Sequence, residues 1–266
     1  MTASAPDRPH RPSQHGTVTA TEQLSEHLVR LVVRCDGFAD GTLEPNGFTD
    51  GYVKIELPDA DGDTVLRTYT IREWRPASQE LVFDFVVHGD DGIAGPWART
   101  AEVGTEVNFR GPGGGFAPDT DESVVHLFVG DLAALPAIEA AVETIPASHN
   151  GQVVLAIEDA ADVRDLATHL PVEWVVAESL SAAYDRAVEF VEAWQQPSGD
   201  LEAFVHGEAG FVRRLRRHLR VDRQVAKERQ SISGYWKSGS DDAQWRQQKR
   251  DWQLPVDEAE AAVLAG

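Results

Sequence analysis

Cysteine is nearly absent from the sequence, with Cys35 the only one. One thiol cannot make an internal disulfide, a CxxC redox pair or an iron–sulfur cluster. Any redox chemistry must therefore run on an organic or borrowed carrier. Cys35 follows the apolar run Leu31-Val32-Val33 and reads as an inert core thiol. Basic charge is also scarce: 24 Lys and Arg face 44 Asp and Glu, a formal net charge of −20. Phosphate backbones and anionic membranes call for a basic footprint, so nucleic acid is excluded as a general partner and stable membrane association is not expected. No stretch approaches the roughly 20 apolar residues that a membrane-spanning helix needs. The first sixteen residues are polar, rich in Pro and His, and lack an apolar signal core. The expected compartment is the cytoplasm. The nine histidines lack metal-ligand spacing in the sequence, so no protein-bound catalytic metal is expected.

The 266 residues suffice for two modest domains. Residues 1–15 read as a flexible tail. Residues 16–119 carry β-type signals: Thr17–Thr21, Leu28–Arg34, Gly51–Leu57, Val65–Arg72, Leu81–His88 and Glu106–Arg110 are rich in β-branched and aromatic residues and separated by Asp- and Gly-rich turns. Six short strands without a long helix predict a small antiparallel barrel. Near Pro118 the texture changes. Over residues 120–240, apolar runs (Ser123–Val129, Gln152–Ile157, Val172–Ala177, Leu201–Val205) precede helix-compatible stretches (Ala133–Thr144, Ala160–Leu170, Leu180–Trp194, Gly210–Leu219). Strand-then-helix units predict a parallel sheet in an α/β domain. Neither a GxGxxG fingerprint nor a P-loop occurs there. Residues 241–266 read as a charged helical extension with Trp245, Trp252 and Leu254 as anchors.

Three stretches carry chemistry. Arg67-Thr68-Tyr69-Thr70-Ile71-Arg72 ends a barrel strand. A flavin dinucleotide needs a cation for its pyrophosphate, an aromatic surface and a small hydroxyl near N5. Arg67, Tyr69 and Thr70 offer all three, and an ordinary barrel strand with exposed arginines remains the alternative. In His88-Gly89-Asp90-Asp91-Gly92-Ile93-Ala94-Gly95-Pro96-Trp97-Ala98, small residues leading into a helical turn at Trp97 would present N–H groups to a phosphate. A glycine-containing connection is the plain alternative. Gly130-Asp131-Leu132-Ala133-Ala134-Leu135-Pro136 places Gly130 at the end of the first parallel strand and Asp131 as a helix N-cap. Carboxyl ends of parallel strands are where open α/β sheets bind ligands, although a plain strand–helix turn has the same pattern. Arg213–Arg220 looks like a basic patch, but the Phe211, Leu215, Leu219 stripe makes it an amphipathic helix with a basic solvent face. His126 and His206, within apolar runs, read as core or sheet-edge residues.

The order RxYTxR, HGxxGxAGPWA, GPGGGF and GDxxALPAI, closing with Gly207-Glu208 and Gly234-Tyr235-Trp236-Lys237-Ser238-Gly239, resembles the siderophore-interacting protein family of FAD-dependent ferric-siderophore reductases. The resemblance spans roughly residues 16–240. It implies a six-stranded FAD-binding barrel followed by a nicotinamide-binding α/β domain, as in ferredoxin-reductase-like enzymes. By the motif match, Arg67, Tyr69, Thr70, Ile71 and Arg72 would hold FAD, with Thr70 near N5 as the catalytic residue. Val87, His88, Gly92, Ile93, Ala94 and Gly95 would line the ribityl chain and pyrophosphate. Gly130, Asp131, Ala133, Gly207, Glu208, Tyr235 and Trp236 would border the nicotinamide site, and Lys54 and Lys237 would face an anionic ferric siderophore. This sequence departs from the family pattern at Leu132 and Ala133, at Gly113 after the barrel's Gly-Pro pair, and in the Gly92–Gly95 loop.

The resemblance implies reduction of siderophore-bound iron(III) with electrons from NADH or NADPH, by a monomer. The rivals are a flavin reductase serving another acceptor, a siderophore-binding flavoprotein, and an enzyme fed by ferredoxin. An acidic ferredoxin would be repelled by a −20 surface unless a local basic patch such as Arg213–Arg220 receives it.

Overall fold

A computed structural model describes residues 13–88, 92–240, 244, 245 and 248. The amino-terminal sheet comprises β1 (Ser13–Ser25), β2 (Leu28–Cys35), β3 (Tyr52–Pro58), β4 (Thr64–Thr70), β5 (Glu73–Arg75), β6 (Glu80–Val86) and β7 (Glu106–Gly113), ordered β4-β3-β7-β1-β2-β6-β5 with antiparallel pairing. Two short helices, α1 (Gly37–Asp40) and α2 (Ala94–Thr100), interrupt it. Its two edge strands are consecutive in the chain, so the sheet must wrap round for β4 to pass directly into β5. The Tyr69 ring on β4 accordingly lies 4.1 Å from Phe85 on β6. Inward-facing Val53, Ile55, Leu57, Phe83, Phe85 and Phe109 fill the interior. Seven strands stand where the sequence suggested six. The extra one, three-residue β5, follows directly on the run Val65–Arg72 and has no turn signal to announce it.

β1 begins at Ser13, so residues 13–15 of the expected tail are strand, paired with Arg110–Asn108 of β7. Cys35 is buried, and burial pushes its thiol pKa up to about 12, as an inert core thiol requires.

The second sheet comprises β8 (Val124–Gly130), β9 (Asn150–Ile157), β10 (Val172–Val176), β11 (Asp200–Glu208) and β12 (Gln230–Trp236), all parallel in the order β10-β9-β8-β11-β12. Helices α3 (Leu135–Val142), α4 (Leu180–Ala193) and α5 (Ala209–Arg217) cover it. β12 escapes sequence reading because its residues, Gln-Ser-Ile-Ser-Gly-Tyr-Trp, form no apolar run. The expected helix Ala160–Leu170 is absent: only Ala160–Asp162 makes a 3-10 turn. Asp162 and Arg164 both turn toward neighbouring elements, which a continuous helix would not permit. Phe211, Leu215 and Leu219 are buried as their stripe requires, and Arg213, Arg214 and Arg217 face solvent, although Arg216 is buried. His126 and His206 are likewise buried. Trp245 packs on Gly234, whereas Trp252 and Leu254 lie outside the described residues. Among the described residues, no helix is long and apolar enough to cross a membrane.

Buried charges join the two sheets. Asp84 on β6, 3% exposed, accepts two hydrogen bonds from Arg30 at 2.7 and 2.8 Å. Arg164 lies 3.8 Å from Asp84 and donates twice to Glu139 on α3, at 3.0 and 2.9 Å. Arg72, following β4, donates to Glu139 at 2.9 Å and pairs with Glu143. An apolar cluster accompanies them, with Leu28 against Phe128, Leu135 and Ile138.

Removing one partner of a buried ion pair strands the other. Glu139→Gln should therefore lower unfolding stability by about 3–5 kcal/mol. Asp185→Asn, which breaks the exposed pair with Arg214, should cost less than about 1 kcal/mol. Urea melts of both variants provide the comparison, and equal losses would contradict the importance of the junction.

Candidate active site at the domain junction

The parallel sheet reverses its strand order between β8 and β11. At such a switch point neighbouring connections leave in opposite directions and open a crevice at the carboxyl ends. Gly130 ends β8, and Gly207-Glu208 ends β11. A Cβ on Gly130 would stand 2.7 Å from that of Ala134 and 3.0 Å from the His206 carbonyl oxygen. Gly207 has φ +139, and a Cβ there would meet the Asp131 carboxylate at 2.6 Å. Gly130 lets the end of β8 pack closely on α3 and β11, and Gly207 leaves room for the Asp131 carboxylate inside the switch point.

Asp131 is 2% exposed and accepts from every side. Its Oδ2 takes the Tyr184 hydroxyl at 3.0 Å, the Trp236 indole N–H at 2.9 Å and the Glu208 amide at 2.9 Å. Its Oδ1 takes the amides of Ala133 and Ala134 at 3.0 and 3.3 Å. Burial raises its pKa above the ordinary carboxylate value although these donors oppose the shift. The carboxylate thus ties β8, α4, β11 and the end of β12 together. It is not the expected helix N-cap: α3 begins at Leu135 with Ala134 as its N-cap, and Asp131 instead holds the amides of the turn before it. Glu208 caps α5 through the Phe211 amide at 2.9 Å and holds the Ser238 amide at 3.2 Å. Tyr184 was not legible as a site residue, because a lone tyrosine on an alanine-rich helix face reads as core.

β4 brings its motif to the same junction. Thr70 is 8% exposed, and its side chain stands beside the buried Tyr235 phenol from β12. The Tyr235 ring also stands edge-on to His206 at 4.9 Å. Tyr69 lies half-buried between the barrel core and the surface, and Arg67 is half-buried on the same strand. Ile71 points into the barrel core and its amide donates to the Gly51 carbonyl at 2.7 Å. Arg72 is held by Glu139 and Glu143, so its guanidinium serves the junction. Asp50, which sequence reasoning did not single out, accepts the Gly115 and Phe116 amides at 2.8 Å each and fixes the segment between the sheets.

Val87 is buried and its amide donates to His27 at 2.9 Å, while His88 is exposed. Residues 89–91 of the expected phosphate loop lie outside the described residues. Gly92 has φ +77, and α2 starts at Ala94, three residues before the expected turn at Trp97. Its N-cap, Ile93, has no side-chain oxygen to satisfy the first helical amides. Lys54 is exposed on β3 opposite Thr68, and Lys237 follows β12 with its Nζ donating to Gln248 at 3.1 Å. The two lysines therefore stand on different sheets. At Gly113, a side chain would start 2.5 Å from the Tyr52 ring, so that tyrosine fills the space an arginine would need.

Two family models match the chain: a siderophore-interacting FAD-binding domain over residues 58–116 and a siderophore-interacting protein over residues 124–239. The ferric vibriobactin reductase ViuB of Vibrio cholerae is 33% identical over 250 residues, covering 85% of this chain and 90% of that protein. The chain belongs to the siderophore-interacting protein family. The siderophore-interacting protein SipS from Aeromonas hydrophila superposes with a TM-score of 0.78 at 30% identity, covering 91% of this chain and 98% of that one. The cytochrome P450 reductase GcoB of Amycolatopsis aligns at TM-score 0.62 and 19% identity, covering 88% and 73% of the two chains, and shares the ferredoxin-reductase-like fold alone. In this siderophore-interacting protein the residues present fit FAD. They comprise a half-buried cation on β4, a half-buried aromatic ring two residues further along it, and a start of α2 whose N-cap, Ile93, offers no side-chain acceptor.

Asp131→Asn should destabilise the protein by about 3 kcal/mol, because its amide group would face N–H and O–H donors on either side. Tyr184→Phe, which removes one donor, should cost about 1 kcal/mol. Urea denaturation monitored by tryptophan fluorescence measures both, and a neutral Asp131→Asn would show that this carboxylate does not hold the strand ends.

Proposed function

We propose that the protein is an FAD-dependent reductase of ferric siderophores that draws electrons from NADH or NADPH and releases iron(II) in the cytoplasm. The observation that carries this reading is the buried 2.9 Å hydrogen bond from Arg72, at the end of the β4 motif, to Glu139 on α3. It ties the strand bearing the flavin-type motif to a helix covering the sheet whose switch point is the natural place for a nucleotide. When bound, FAD supplies the conversion of a two-electron hydride donor to one-electron transfer, which iron(III) requires.

The chain's own residues supply binding and orientation. Arg67 and the amides of Gly92, Ile93, Ala94 and Gly95 would receive the pyrophosphate, with Val87 and His88 leading into that loop. Tyr69 and Thr70 would border the ring system. Ile71 contributes through the packing of β4 and Arg72 through the junction that fixes it. At the switch point Gly130, Ala133 and Gly207 leave room for a nucleotide. Asp131, Glu208 and Trp236 hold the walls, because both Asp131 oxygens are already occupied. Lys54 and Lys237 would attract an anionic ferric siderophore against an otherwise acidic surface. No side chain need move a proton for the iron step, so the catalytic contribution is positioning and electrostatics.

The test is an anaerobic visible spectrum of the purified protein, before and after NADH or NADPH and then after a ferric siderophore with ferrozine present. A flavin band that bleaches with nucleotide and returns as iron(II) is trapped is the expected outcome. Arg67→Ala should weaken FAD retention about tenfold, the loss of one charge-assisted contact. Failure of either nucleotide to bleach the flavin would overturn the donor assignment, and failure to bind FAD would overturn the whole reading.

A further inference from the structure

The linear sequence gives its histidines no metal-ligand spacing, but the fold brings three ligand types to one place. Glu26 and His27 form the two-residue connection between β1 and β2, and Asp159 follows β9 in the other sheet's domain. One ligand atom from each of Glu26, His27 and Asp159 lies within 4.8 Å of the others, with Glu26 exposed and the other two half-buried. Among the described residues no other three of His, Cys, Asp or Glu meet this closely.

What sets this group apart from a chance meeting of surface charges is the residue behind the imidazole. Asp162 has a 1% exposed side chain and sits 2.9 Å from His27 Nδ1. It also accepts the Ser25 hydroxyl at 2.5 Å and the His27 amide at 3.3 Å. A carboxylate there accepts a hydrogen bond from Nδ1–H and leaves the Nε2 lone pair for a metal ion. This is the arrangement that orients and strengthens histidine ligands in metal sites. Asp159 is held as well: its Oδ1 accepts the Ala161 amide at 2.8 Å, leaving Oδ2 for a ligand.

We propose that Glu26, His27 and Asp159 bind one divalent first-row transition-metal ion, with Asp162 as the positioning residue behind His27. One imidazole and two carboxylates form a mixed nitrogen–oxygen set that favours such ions over magnesium or calcium, which prefer oxygen alone. Metal–ligand bonds of about 2.0–2.2 Å put neighbouring ligand atoms roughly 3–3.5 Å apart. Rotation of the exposed Glu26 side chain closes the remaining gap, and water completes the coordination sphere. The ion would bridge a hairpin tip of the barrel and a turn of the α/β domain, and so clamp the junction from outside.

The site is separate from the residues proposed for FAD and nucleotide, so its test needs no turnover. Mn2+ is titrated into the purified, FAD-loaded protein, and the loss of its free-ion EPR signal reports binding. One saturable site is expected, emptied by stoichiometric Zn2+ but not by the same concentration of Mg2+. His27→Ala and Asp159→Asn should each weaken the tight site at least about tenfold, and so should the exposed change Glu26→Gln, which carries little risk to folding. Zn2+ should raise the melting temperature of the wild type and not that of His27→Ala. Equal Mn2+ binding by wild type and His27→Ala, or displacement by Mg2+ as readily as by Zn2+, would overturn the proposal.

Discussion

Glu139 holds two arginines at once, and the geometry of the molecule depends on it. Arg72 arrives from the end of β4 and Arg164 from the strap that follows β9, and both donate to this one buried carboxylate. Charges out of water tolerate little misplacement, because their desolvation is offset only when partners meet at close range. An apolar interface can slide over its partner with modest loss, whereas this one has a preferred register. That register sets where the β4 motif stands relative to the switch point of the parallel sheet.

Around this constraint the site divides its labour unevenly. Residues that a motif match would send to the ligand turn out in part to hold the frame. Arg72 is committed to α3, Asp131 to four separate elements, and Glu208 to the start of α5 and the Ser238 amide. Under the proposed function, ligand contact would fall to backbone amides, small residues, Arg67, Tyr69 and the two lysines. The switch-point crevice itself offers few side-chain donors, with Leu132 and Ala133 following Asp131.

Much of this was legible in the sequence. Alternating and continuous apolar runs located six of the seven barrel strands and four of the five parallel ones, because burial on one or both faces leaves that imprint. β5 and β12 were missed for the same reason: one is too short, and the other too polar, to leave a periodic signal. The stretch Ala160–Leu170 looked helical by composition, yet Asp162 and Arg164 find their partners in other elements, and long-range ion pairs overrode local propensity. The ordered motifs placed Thr70, Gly130, Asp131 and Gly207 near the junction. They could not reveal that Tyr184 would bond to Asp131 or that Tyr235 would stand beside Thr70, since contacts between distant segments have no spacing rule. The meeting of His27 with Asp159 is hidden for the same reason.

The continuous chain from Arg30 through Asp84, Arg164 and Glu139 to Arg72 also bears on how such a protein can be modified over evolution or in the laboratory. Acids and bases alternate along it, and the amino-terminal half contributes two bases, Arg30 and Arg72, against one acid, Asp84, so that half is not charge-balanced alone. A barrel transplanted onto the α/β half of a relative would keep the Arg30–Asp84 pair but carry Arg72 to a face with no matching acid unless that face was exchanged with it. The two domains are therefore heritable as a matched pair, and recombination between relatives would succeed within a domain more readily than at the boundary between them.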